Sequence, residues 1–258
     1  MSRPPAAPNR IVCLSAESAD ILCRIGAADR IVGVTAYVSP SKALRRVPRV
    51  SGFSAANIKR ILALKPDLVI AYSDVQAGIA ATLIKDGVNV LETQQTSLRE
   101  IEDTMLMLGR IVGTETWARA LVRQFRVQLK AQGPHRLRVY FEEWPEPMIS
   151  GIGWVSELIE RAGGKDIFSG LRDRRRASER AVSVEEVVRR NPHVIIASWC
   201  GKKVQIDEIR HRPGWEAIDA VRQRQIHEMD SGIILQPGPQ LVEGFRELCR
   251  ILQSISLR

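Results

Sequence analysis

Two short stretches of this 258-residue chain carry side chains with chemical reach: Glu142-Glu143-Trp144 and Trp199-Cys200-Gly201. A thiolate beside a carboxylate suits iron or cobalt, because sulfur ligands favour the softer transition metals. Cys200, with Glu142 or Glu143, is therefore the candidate metal ligand. Adjacent strand residues point to opposite faces, so only one of the two glutamates is expected to face a site. Catalytic arrangements lack their parts. His135, His193, His211 and His227 are scattered, with no HExxH and no His-Cys pairing at ligand spacing. His193, after Pro192 at a strand entry, reads as structural. There is no Gly-rich phosphate loop and no Gly-x-Ser-x-Gly, so no catalytic residue is assigned. Cys13, Cys23, Cys200 and Cys249 show no CxxC or other zinc spacing and read as free thiols of a reducing compartment.

The remaining chemistry-bearing residues are flat rather than ionisable. Tyr37 follows a predicted strand at Ile31 to Val34, Tyr72 ends one at Leu68, Trp144 follows one at Arg138 to Phe141, and Trp199 follows one at Val194 to Ala197. Phe53 and Trp154 fall in intervening loops. Large rigid rings at strand ends suit a large, flat, partly apolar ligand, since they supply contact area with little rotamer freedom to lose.

These residues are positioned by an alternation of strands and helices, which implies mostly parallel sheets covered by helices. The alternation is written twice. Residues 18–33 are echoed by 155–170, each an amphipathic helix ended by glycine. Residues 58–71 are echoed by 184–197, each a helix that stops at a proline, Pro66 or Pro192, before a buried strand. Between the copies, Trp117, Leu121, Phe125 and Leu129 recur at helical spacing from Thr114 to Gln132, and Gly133-Pro134 supplies a stop. A helix of that length rises roughly 28 Å at about 1.5 Å per residue. The division expected is an N-terminal lobe over 10–112, a connecting helix over 113–134 and a C-terminal lobe over 135–258, with ligand in a cleft between the lobes at the strands' carboxyl ends.

Composition bounds the rest. With 45% hydrophobic residues the chain can bury a sizeable core, and no apolar run approaches the ~18 residues of a membrane span. Residues Met1 to Arg10 lack the apolar core of ~7 to 15 residues that marks a secretory signal. A chain starting at Met1 is thus expected in the cytoplasm, and in the periplasm only if translation starts upstream. The net charge of +9 raises nucleic acid as a partner, but the dense run Arg172-Asp-Arg-Arg-Arg176 has no recognition motif around it, so none is expected.

Several passages carry a resemblance. Arg10-Ile-Val-Cys-Leu-Ser15, Gly33-Val-Thr-Ala-Tyr37, Val50-Ser-Gly-Phe53, Arg60 to Ala71 and Gly163-Gly-Lys-Asp-Ile-Phe168 resemble the cobalamin-binding members of the helical-backbone (type III) substrate-binding proteins of ABC importers, over nearly the whole chain. Glu143-Trp144-Pro-Glu-Pro147, with Gly151 and Trp154 behind it, is similar to the same subgroup, whereas the Leu-Lys-Pro-Asp strand entry is shared with siderophore and haem binders. The resemblance implies an α/β fold of two Rossmann-like lobes joined by a single long backbone helix. It implies a monomer that binds a cobalamin-like corrinoid without turning it over. Tyr37, Phe53, Tyr72, Trp144 and Met148 would line the site, with Trp154 and Trp199 added. The alternatives are an iron-siderophore or haem ligand, or a cytoplasmic metal- or cofactor-handling protein using Cys200.

Two departures stand out. Transporter-docking members carry a glutamate on each lobe. Glu185 matches the second-lobe position, but Lys59 occupies the first, a reversed charge that opposes docking on an ABC permease. Ile233 replaces the aromatic that the family offers late in the second lobe.

Overall fold

The structure, a computed structural model, describes residues 7–39, 41–133 and 137–255. Pro134 of the expected helix stop, and His135, lie outside the described residues. The chain forms two compact units, one of residues 1–95 and 99–125, the other of residues 96–98 and 126–258.

The first unit contains β1 (Ile11–Cys13), α1 (Ala16–Arg24), β2 (Ile31–Thr35), β3 (Arg49–Ser51), α2 (Ile58–Ala63), β4 (Leu68–Tyr72), α3 (Ala77–Lys85), β5 (Val90–Thr93), most of α4 (Leu98–Ile111) and most of α5 (Glu115–Gln128). Its sheet has the order β3-β2-β1-β4-β5, with neighbouring strands parallel throughout. A parallel sheet is covered by helices on both faces, so its central strands read as continuous apolar runs. β4 shows this in Leu68-Val-Ile-Ala, buried at all four positions. Val12, Leu14, Val69 and Ala71 pack with Ile61 of α2 and Leu83 of α3 in one cluster.

The second unit continues with β6 (Arg138–Pro145), β7 (Met148–Ser150), α6 (Gly153–Arg161), β8 (Lys165–Asp166), α7 (Val184–Arg190), β9 (Val194–Ala197), α8 (Ile206–Arg210), α9 (Asp219–Arg222), β10 (Ile226–Glu228), α10 (Ser231–Ile234) and α11 (Leu241–Ser254). The sheet order is β10-β9-β6-β7, with β8 also pairing β6. β7 runs antiparallel to β6, whereas β8, β9 and β10 pair in parallel.

The written repeat is a structural one. α1 corresponds to α6, and α2 and β4 correspond to α7 and β9; β8 pairs β6 as β2 pairs β1 but lies a few residues earlier in its copy. Even the connections match. The helix ends at Gly26 and Gly163 are left-handed, with φ of 81° and 90°, where glycine bears no Cβ penalty. Before the prolines, Lys65 and Asn191 are also left-handed, at φ 47° and 42°. Asparagine tolerates that region better than lysine does.

The connecting helix is shorter than its apolar pattern predicts, ending at Gln128 rather than Gln132. The chain leaves the helix because α6 offers other partners: Arg161 Nη1 donates to the Leu129 carbonyl at 3.2 Å, and the Gln132 amide donates to the Arg161 carbonyl at 2.7 Å. The buried stripe is Ala118, Leu121, Val122 and Phe125. Trp117, expected in that stripe, is 65% exposed. The helix is also no separate body, since its residues up to Phe125 group with the first unit and those from Arg126 with the second.

Candidate ligand-binding site

In an open parallel sheet the helical connections diverge where the strand order reverses, leaving a crevice at the strands' carboxyl ends. The reversal lies between β1 and β4 in the first unit and between β6 and β9 in the second.

In the first unit the crevice is closed by a residue with little signal in the sequence. Gln76, 2% exposed, donates through Nε2 to the carbonyls of Leu14 at 3.1 Å and Phe53 at 2.9 Å, and accepts from the Tyr72 amide at 3.0 Å. One amide thus ties the ends of β1 and β4 to the loop after β3. A polar residue at a helix start is the one feature that could have marked it. Tyr72 is half-buried and its hydroxyl donates to the Gln95 carbonyl at 3.3 Å. Tyr37 and Phe53, in loops that follow β2 and β3, are 49% and 44% exposed. Glu17, in the first turn of α1, is buried with one carboxyl oxygen unpartnered. Burial pushes its carboxyl up to about 7, against a lowering hydrogen bond with Ser15.

In the second unit the adjacent glutamates take separate partners. Glu142, fully buried, accepts from Trp199 Nε1 at 3.1 Å, from the Tyr140 hydroxyl at 3.2 Å and from Arg212, whose guanidinium grips both carboxylate oxygens. Glu143 sits at an irregularity in the β6–β7 pairing. It holds buried Arg180 through contacts of 2.6 and 3.1 Å and accepts from the Ile152 amide at 3.1 Å. Bidentate arginine pairing of this kind offsets the cost of burying a carboxylate.

The second-unit aromatics divide into two sets. Trp144, at the end of β6, is half-buried, with its indole N–H donated to the Glu146 carbonyl at 2.9 Å and the Lys202 ammonium 4.5 Å from its ring centroid. Met148 is buried, and Arg212 donates to its sulfur at 3.3 Å. Trp199 is buried against the Glu142 carboxylate. Trp154, expected in a loop, lies in the first turn of α6, is 2% exposed and donates to the Ile234 carbonyl at 2.9 Å. Its ring belongs to the core. Tyr37, Phe53, Tyr72 and Trp144 are the aromatic candidates with open surface.

Cys200 is exposed, in the turn after β9. Burial of its thiol and then the Glu143 carboxylate push its pKa up, which disfavours the thiolate that metal binding needs. Among the described residues no group of three or more His, Cys, Asp or Glu side chains converges to hold a metal ion. His193 is structural: its Nδ1 accepts from the Arg138 amide at 3.0 Å, and burial lowers its pKa.

Lys59 and Glu185 occupy corresponding exposed positions in the first turns of α2 and α7. Each helix is capped by its own residue, Asn57 or Ser183. Glu185 titrates below the usual carboxylate range because of its own backbone amide and then the Ser183 hydroxyl. Ile233 is half-buried within α10.

Residues 11–232 match the family model described as "Periplasmic binding protein". An uncharacterised ABC transporter substrate-binding lipoprotein, YvrC of Bacillus subtilis, is 26% identical over 93% of this chain and 79% of its own length. The crystal structure of the periplasmic vitamin B12-binding protein BtuF of Vibrio cholerae is 26% identical with a TM-score of 0.71, covering 97% of this chain and 98% of that one. The periplasmic haem-binding protein HutB of the same organism gives a TM-score of 0.74 at 18% identity, over 95% and 98%. These matches overturn the expectation of a cytoplasmic protein: the family is one of periplasmic proteins, and YvrC is named a lipoprotein. A polar stretch from Met1 to Arg10 and four unpaired cysteines are weak local signals, and a match along nearly the whole chain outweighs them.

Proposed function

Because this chain belongs to the periplasmic binding protein family, we propose that it binds a flat metal chelate of the corrinoid class, outside the cytoplasm, and presents it to an ABC importer. The reading is carried by one observation: at both strand-order reversals the carboxyl ends bear partly open aromatic rings, Tyr72 on β4 and Trp144 on β6. Tyr37 and Phe53 add open ring surface to the first rim. The ligand is held non-covalently and released unchanged.

A haem or iron-siderophore ligand is the second reading, supported by HutB, which shares the fold at a similar TM-score. Docking on the permease would rest on Glu185, with Lys59 weakening the first-lobe contact. Titration of the purified protein with cyanocobalamin, haemin and a ferric siderophore, followed by tryptophan quenching, ranks the ligands. The corrinoid is expected to bind at micromolar concentration or below. Trp144→Ala should weaken it about tenfold or more, whereas Trp154→Phe should leave binding within about twofold because that ring is enclosed by core. Failure of every corrinoid to quench at roughly 100 μM, an affinity near −5.5 kcal/mol, removes the favoured ligand.

A further inference from the structure

The turn after β9 places the Lys202 cation beside Trp144, the open tryptophan of the second rim, and Lys203 follows it in the chain. It runs from Trp199 to Lys202, closed by the Lys202 amide donating to the Trp199 carbonyl at 3.1 Å, with Gly201 at φ 71°. A left-handed residue at the third position of such a turn favours glycine. The base of the turn is fixed, because Trp199 is 4% exposed and bonded to Glu142. Lys202 and Lys203 project from it, both exposed. Lys202 covers a face of Trp144 at 4.5 Å.

Three carboxylates near this turn have partners other than the two lysines. Glu142 is held by Arg212, Glu143 by Arg180, and Glu228 accepts from the Val204 amide at 3.0 Å. Glu146 meets Trp144 through its backbone carbonyl. Among the described residues neither lysine forms an ion pair, and the Lys202 ammonium lies over an aromatic face.

We infer that Lys202, with Lys203 beside it in the chain, forms an anion-recognising corner that selects chelates carrying a free carboxylate arm at the ring edge; this rests on the reading that the ligand docks at the carboxyl-end rims. A ring stacking on the covered face of Trp144 must first move the Lys202 ammonium. A ligand with an anionic arm gives that ammonium a better partner at the ring's edge. A ligand whose ring-edge arms are all amides displaces it without return. Discrimination therefore comes from an obstacle that only one ligand class removes.

The test compares the wild type with K202Q/K203Q and K202R/K203R. Three probes serve: haemin, which bears two propionates; acid-hydrolysed cobalamin, which bears free ring-edge carboxylates; and intact cyanocobalamin, which has the same nucleotide-loop phosphodiester but only amides at the ring edge. Tryptophan quenching is read at low salt and at about 0.5 M salt. The glutamine pair should weaken the carboxylate-bearing probes about tenfold and abolish most of their salt dependence. The same pair should leave cyanocobalamin within about twofold or tighten it, and the arginine pair should retain wild-type ranking. Equal losses for probes with and without free carboxylates, or no change in any, overturn the corner while leaving the binding function intact. Absence of binding by the wild type to all three overturns the chelate reading and the corner together.

Discussion

The two units reverse strand order at equivalent places but hold those places together with different forces. At β1/β4 a neutral glutamine, Gln76, bonds three backbone groups, and Glu17 at the start of α1 keeps a buried carboxyl oxygen without a partner. At β6/β9 two carboxylates are each gripped by an arginine, and two exposed lysines follow. Duplication thus preserved the scaffold, whose parallel ladder depends only on buried apolar runs. The polar chemistry at its edge diverged, because a strand end contributes side chains without altering the ladder.

Breaking the second unit's network should produce the largest effect. Arg212→Ala leaves Glu142 fully buried without its counter-ion, and unfolding by urea should show a loss of about 3–5 kcal/mol. A loss below about 1 kcal/mol would mean that the pair merely breaks even with solvent.

Glu17 makes the opposite prediction for the first unit. Its carboxyl binds a proton more tightly folded, at about 7, than at its ordinary 4.5. Its contribution to stability is therefore complete below pH 4.5 and lost as pH rises through about 7. Glu17→Gln should make the protein more stable than wild type at pH 8 by roughly 3 kcal/mol, since each tenfold gain in proton affinity is worth about 1.4 kcal/mol. Denaturation at pH 5 should show most of that gap closed. An unchanged gap between the two pH values would assign the effect to packing rather than ionisation.

Gln76→Ala is the smallest of the three. It strands the Leu14 and Phe53 carbonyls and the Tyr72 amide. A cost of about 1–3 kcal/mol is expected, with hydrogen exchange rising at Tyr72 before it rises at the centre of β4. Equal protection at both would show that Gln76 is dispensable to the first rim.

Much of the scaffold is legible in the chain because its signals are local. Leu68-Val-Ile-Ala and Val194-Ile-Ile-Ala are short apolar runs that only a doubly covered strand can bury, and Pro66 and Pro192 mark where the preceding helices stop. Spacing misplaces Trp117 and Trp154 for a shared reason. A tryptophan fits equally into an apolar stripe, a core or a surface, and the partner across from it makes the choice. For Trp154 that partner is the Ile234 carbonyl, 80 positions away. The end of α5 likewise depends on Arg161 of α6.

Hydrophobic period, proline and glycine act within a few residues, and so the duplicated α/β plan and the aromatics at its strand ends are present in the linear chain, whereas the short strands β3, β7 and β8 are not. Which of those aromatics keep an open face, how Glu142 and Glu143 divide between two arginines, and that Lys202 lies over Trp144 emerge only on folding. Those outcomes depend on pairing across tens of residues, where burial makes an unpaired charge costly and the fold supplies the partner.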